Sequence, residues 1–333
     1  MMKELIAQFP QQLLEAIESG KNTTISTNDF HPSEVLVAGL GGSGIGAHFA
    51  QMLAGRELKI PFIVSNGYIL PPFISNHTLF IASSYSGNTE ETLECLENAK
   101  STGAKIVCVT SGGKVAGLAQ QNNFLLFKIK SGIPAPRAAL AYSFIAQLYI
   151  LHRFNLISGS FINEIQKSAE FLMKEQKGIC IKAKKTAALL KNKIIFAYSS
   201  DQISPVALRF KQQVNENSKQ HCAYNAIPEM NHNELVGWVF PKHIVKNTAV
   251  VNIRFEGEHP RTQARFKIIR PLIKKNTSSI IEINAKGSTF CQHVLYLVHY
   301  LDWVSYFLAL ENKIDPAPVE VINYLKNALA KKV

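Results

Sequence analysis

No two of the five cysteines form a CxxC pair, and the number is odd. Cys95, Cys108, Cys180, Cys222 and Cys291 lie scattered, which argues against a disulfide framework or a cysteine-based zinc site. HxxxH and HExxH spacings are also missing, so no metal is expected. Long uninterrupted apolar runs are absent as well. The opening, MMKELIAQFPQQLLEAIE, has acids and glutamines where a secretory signal needs a continuous apolar segment, and it reads as an amphipathic helix. AALAYSFIAQLYIL and HVLYLVHYLDWVSYFLAL are broken by polar or charged residues, among them His299 and Asp302, and suit buried helices better than a membrane span. The expected location is cytoplasmic, without a membrane partner. Acidic residues are the scarcer sign: 24 against 36 Lys and Arg, for a net charge of +12. Nucleic acid, an anionic membrane and a small anionic substrate would all suit such a charge. The lysines are dispersed, however, and KAKK at 182–185 has no interleaved aromatics, so a solvated helix face is expected and nucleic acid is not.

At 333 residues and 47% hydrophobic, the chain suffices for two domains with real cores. From residue 35 short apolar runs alternate with helical segments: VLVAGL, IPFIVS, LFIASS, KIVCVT and FLLFKI. Continuous apolar strands separated by helices predict a parallel sheet covered on both faces. A long helix, AALAYSFIAQLYILHRF, closes this unit, and NLISGS at 155–160 reads as a linker. The second half opens with helices up to about Lys191 and then repeats the alternation through KIIFAYSS, CAYNAI, TAVVNIRF and SSIIEINA. The fold class is α/β, two doubly wound domains over 1–155, with an N-terminal helix, and 156–333. The active site is expected at carboxyl ends of strands.

GLGGSGIG at 39–46 has the glycine spacing of a dinucleotide site, but the acid expected about 20 residues on is missing, since that strand ends IVSNGY. An NAD site is therefore disfavoured. SSYSGNTEET at 83–92 follows a strand and precedes a helix, where hydroxyls and backbone N–H groups can nest an anion. Read alone, SGNT is an ordinary helix cap. Two such loops at strand ends of one sheet converge on a phosphate better than either alone.

At this point the pair resembles the sugar isomerase (SIS) domain. By that resemblance Ser84, Ser86 and Thr89 hold the phosphate of a phosphosugar, and Gly42 and Ser43 border the sugar. Arg137 follows two stiffening prolines in GIPAPRAAL; a permanently charged planar guanidinium suits an oxyanion, although taken alone a helix-start arginine paired with a surface carboxylate explains it better. Glu216 sits between asparagines in NENSK and His232 in PEMNHNE, a carboxylate and an imidazole of the kind that shuttle protons between neighbouring carbon and oxygen atoms. By itself Glu216 also fits the cap or solvated end of a helix, and His232 a satisfied helix histidine.

Together GGSG, SYSGNTEET, PAPRAAL, NENSK, PEMNHNE and DWVSYFLALENKIDPAPVEVINYLK resemble the bifunctional phosphoglucose/phosphomannose isomerase family along nearly the whole chain. The resemblance implies a homodimer of double-SIS chains with a shared active site and no metal or nucleotide. It implies interconversion of fructose 6-phosphate with glucose 6-phosphate and mannose 6-phosphate through a cis-enediol(ate). Glu216 is then the base at C2 and C1, His232 reaches in from the other subunit to open the ring, Arg137 stabilises the oxyanion, and Lys326 in INYLK is the assisting C-terminal lysine. Two alternatives stay open: an isomerase specific for mannose 6-phosphate or another ketose phosphate, and a non-catalytic phosphosugar sensor.

Overall fold

The structure, a computed structural model, describes residues 1–27, 29–55 and 57–331. Two compact units are present, one of Gln8–Met173 with Thr289–Gln292, the other of Met1–Ala7, Lys174–Ser288 and His293–Val333.

Helices α1 (Met2–Ala7) and α2 (Phe9–Asn22) open the chain. Then follow β1 (Glu34–Ala38), α3 (Gly41–Ala54), β2 (Phe62–Ser65), β3 (Thr78–Ser84), α4 (Glu90–Ala99), β4 (Lys105–Thr110), α5 (Gly113–Gln121), β5 (Leu125–Lys128) and α6 (Leu140–Arg153). The five strands form one parallel sheet in the order β2-β1-β3-β4-β5. Leu36 of β1 aligns with Ile63 of β2 on one side and Phe80 of β3 on the other. Val35, Leu36 and Val37 are all fully buried although successive residues point to opposite faces, as a sheet covered on both sides requires.

The second half begins with one helix, α7 (Ser160–Leu190), where the sequence suggested several. After it come β6 (Ile194–Ser200), α8 (Ser204–Ser218), β7 (Cys222–Ile227), α9 (Lys242–Lys246), β8 (Thr248–Arg254), α10 (Pro260–Lys274), β9 (Ser279–Asn284), α11 (Phe290–Glu311) and α12 (Glu320–Leu329). Its four strands are again parallel, in the order β7-β6-β8-β9. Tyr198, Trp238, Val250 and Phe266 centre the core on one face of this sheet. No helix among the described residues is long and apolar enough to cross a membrane.

Four of the five cysteines are packing residues. Cys95, Cys108, Cys222 and Cys291 are buried, and burial pushes the thiols of Cys108 and Cys291 up to about 12 and raises that of Cys222 too. A thiol held protonated in this way is a poor nucleophile.

Candidate functional site

In the first sheet the carboxyl ends of β1 and β3 carry the two polar loops. Ser84, the last residue of β3, is buried and turns its hydroxyl inward. Its Oγ lies 2.8 Å from Thr89 Oγ1 and accepts the N–H of Gly87 at 3.1 Å. Thr89 is the N-cap of α4, yet its hydroxyl makes no capping bond to that helix. The helix start is thereby left to other acceptors, in the manner of an anion nest. Glu90 and Glu91 in the first turn of α4 partly offset the pull of its dipole on an anion. Ser86 is exposed and its Oγ accepts the N–H of Asn88 at 3.2 Å.

Close approach of backbones fixes this loop. Gly87 has φ +68°, in the left-handed region, and a Cβ there would stand 1.8 Å from the carbonyl oxygen of Gly112, beyond β4. Only glycine meets both demands. Asn88 Oδ1 accepts the N–H of Lys114 at 3.1 Å and Ser111 Oγ donates to Tyr85 O at 2.7 Å, tying the loop to the end of β4 on both flanks.

The glycine loop joins the same locus. Ser43 is buried and its Oγ accepts the N–H of Tyr85 at 3.0 Å. A Cβ on Gly42 would come within 3.0 Å of Pro136 O, so the start of α3 lies directly against the turn that carries Arg137. That turn, Pro136–Ala138, is a single 3-10 turn ahead of α6, and Arg137 is buried within it. Gly42, Ser43, Ser84, Ser86, Thr89 and Arg137 thus converge at one end of one sheet. Tyr85 was missed by sequence reasoning: its hydroxyl accepts the Ile133 N–H at 2.9 Å and holds the segment leading to Arg137.

The second unit separates the other two acid–base residues. Glu216 lies in the last turn of α8, the crossover helix from β6 to β7. Its neighbour Asn215 grips the first residue of β7, donating Nδ2 to Cys222 O at 3.1 Å and accepting Cys222 N at 3.2 Å. His232 is exposed in the 3-10 turn Glu229–His232 that follows the other end of β7. Six residues of strand at ~3.3 Å each put ~20 Å of β7 between these ends. Glu216 therefore departs from the expectation of a site at carboxyl ends of strands, because a crossover helix returns the chain to the amino edge of its sheet.

Half-buried Glu216 borders a cavity of about 490 Å³ together with Lys219, Asp315 and the first turn of α12. Lys219 Nζ donates to Glu216 O at 2.9 Å and to Asp315 O at 3.0 Å, stitching the end of α8 to the segment before α12. Lys326 is exposed on α12 and does not line this cavity; Lys219, within the quoted NENSK, is the lysine that does. The next 3-10 turn, Glu234–Gly237, is held from beneath: Glu234 accepts from Tyr198 Oη and, at 2.8 Å, from Asn225 Nδ2. Val236 and Phe240, close by in sequence, are largely exposed.

Two parallel sheets, one carrying a hydroxyl loop locked at the end of a central strand, define a double-SIS protein. The SIS domain profile matches residues 30–155, and the bacterial phospho-glucose isomerase C-terminal SIS domain profile matches residues 181–329. The fold is shared with the C-terminal domain of glucosamine-fructose-6-phosphate aminotransferase from Francisella tularensis, at a TM-score of 0.77 and 16% identity over 95% of this chain and 98% of that one. Within the class, this chain belongs to the bifunctional phosphoglucose/phosphomannose isomerase family. It is 37% identical to the Caldicellulosiruptor bescii member over 99% of both chains, and 34% identical to the Aquifex aeolicus member over 89% of this chain and 90% of that one.

Proposed function

We propose that the chain is an aldose–ketose isomerase that interconverts fructose 6-phosphate with glucose 6-phosphate and mannose 6-phosphate. The observation that carries this reading is the hydroxyl loop Ser84–Thr89, locked beside Ser43 and Arg137, in a chain of this family. Ser84, Ser86 and Thr89 hold the phosphate, while Gly42 and Ser43 border the sugar. His232 moves protons at the ring oxygens and opens the pyranose. Glu216 removes the proton from C2 of the aldose, leaving an enediolate whose charge Arg137 stabilises, and returns it to C1. Since the two aldoses differ only in configuration at C2, rotation about C2–C3 lets one base serve both. Lys326 is kept as an assisting cation. The steps require neither metal nor nucleotide.

The reading also calls for a homodimer. Glu216 and His232 of one copy lie towards opposite ends of β7, itself ~20 Å long, which supports a reading in which a second copy supplies the histidine. Exposed Val236 and Phe240 beside His232 supply apolar surface for that contact. Residues 1–155 and 156–333 are taken as the two domains, and the cytoplasm as the location.

The test is NMR of the purified protein with fructose 6-phosphate in heavy water. Deuterium at C2 of both glucose and mannose phosphates is expected. A single labelled epimer restricts the substrate, and no exchange overturns the enzyme reading in favour of a sensor.

A further inference from the structure

The sequence of α8, SPVALRFKQQVNENS, looks like a solvated helix, yet one row of its polar residues points inward. Arg209, Gln213 and Asn217 recur every fourth residue, so they share one face, and they are 3%, 2% and 0% exposed. Opposite them on α11 stand Asp302, 4% exposed, and Ser305, 0% exposed. Arg209 donates through Nε to Asp302 Oδ1 at 3.1 Å and through Nη2 to Oδ2 at 2.6 Å. Gln213 bonds to the same carboxylate. At the far end Asn217 Nδ2 donates to Ser305 Oγ at 2.9 Å, Ser305 Oγ donates to Asp302 O at 2.7 Å, and Ser218 Oγ donates to Ser305 O at 2.7 Å.

Apolar side chains would stabilise this contact at least as well, because a buried ion pair spends most of its attraction on desolvation. What directional bonds add is register: two apolar helices can slide or roll by a fraction of a turn, whereas this row fits in one alignment only. The row ends at Asn217, the residue after Glu216. A small roll of the last turn of α8 would swing the Glu216 carboxylate, and a misplacement of about 1 Å at a reacting group is enough for a ~100-fold loss of rate.

We propose that Asn217 and Ser305 are positioning residues for proton transfer, with their hydrogen bond fixing the orientation of Glu216. The proposal rests on the reading of Glu216 as the base. Ser305→Ala removes one oxygen and leaves α8 otherwise intact; Asn217→Ala breaks the same bond from the other side, and Ser305→Thr keeps the hydroxyl.

The experiment measures kcat per folded molecule, KM for glucose 6-phosphate, and the primary isotope effect with the 2-deuterated sugar, alongside the unfolding transition. The expected result is a fall in kcat of about 10- to 100-fold for Ser305→Ala and Asn217→Ala. KM should stay within about twofold of the parent's, the isotope effect should be no smaller than the parent's, and Ser305→Thr should recover most of the rate. A loss of rate that merely tracks the folded fraction, a diminished isotope effect, or unchanged kcat in both alanine variants overturns the proposal and leaves the row a structural device. Glu216→Gln is run beside them. If it retains turnover, the base reading fails; if it is inactive while the alanine variants turn over normally, only the positioning role fails.

Discussion

Ser43 Oγ accepts the backbone N–H of Tyr85 at 3.0 Å, a bond from the glycine loop after β1 to the hydroxyl loop after β3. Because the oxygen is the acceptor, the Ser43 hydroxyl proton remains available for a ligand. Ser43→Ala removes both functions. The expected outcome is a loss of about 1 kcal/mol in stability, read by urea denaturation, and a several-fold weaker affinity for fructose 6-phosphate, read by calorimetry.

Gly87→Ala should be far more damaging than its size suggests. The left-handed backbone alone costs about 1 kcal/mol with a Cβ present, and contact with Gly112 O forces the two loops apart. A loss of at least ~2 kcal/mol is expected, together with loss of phosphosugar binding. Parent-like binding by Gly87→Ala would mean that the loop does not hold the phosphate.

Subunit mixing tests the shared site. Glu216→Gln and His232→Ala should each be inactive as homodimers, yet a heterodimer of the two restores one intact site. Unfolding and refolding an equal mixture should then recover about a quarter of the parent activity, since half the random dimers are mixed and each has one working site of two. No recovery would put both residues to work within one copy.

Arg137→Lys keeps the charge and loses the planar fork. If the guanidinium stabilises the enediolate, kcat should fall by roughly 100-fold with little change in KM, measured by coupled assay in both directions. A rise in KM at constant kcat would assign Arg137 to ground-state binding.

His299 contributes to the acid side of the stability profile. It is fully buried, Trp303 Nε1 donates to its Nε2 at 3.3 Å, and burial lowers its pKa from 6.5 to about 3. Between those values the unfolded chain takes up a proton that the folded one refuses. Stability is therefore intact above pH 6.5 and declines as the pH falls towards 3, at about 1.4 kcal/mol per pH unit for this one group. His299→Gln should lessen the drop between pH 7 and pH 4.5 by roughly 2–3 kcal/mol in denaturant melts. An unaltered slope would assign the acid sensitivity to other groups.

The sheets were legible because strands buried on both faces must be apolar throughout, as in VLVA and LFIA, and parallel strands need helices between them. The polar loops were legible because strand ends of such sheets are where ligands bind, and Arg137 was marked by its prolines. What escaped depended on contacts between distant segments. Periodicity in RFKQQVNENS does not reveal that Arg209 faces Asp302, because the partner that makes its burial tolerable lies on α11. Nor does a motif say at which end of a strand its helix finishes, so the separation of Glu216 from His232 had to come from the topology. Lys219 went unassigned because a lone lysine after a helix carries no signal until Glu216 O and Asp315 O appear beside it.

The meeting of Gly87 with the carbonyl of Gly112 makes two stretches of sequence heritable only as a pair. A side chain can enter one stretch only if the other has already retreated, so drift in either is checked by its neighbour. A designer moving the hydroxyl loop Ser84–Thr89 onto another parallel-sheet scaffold would have to transplant the end of β4 with it, since the loop's shape is borrowed from the strand next door.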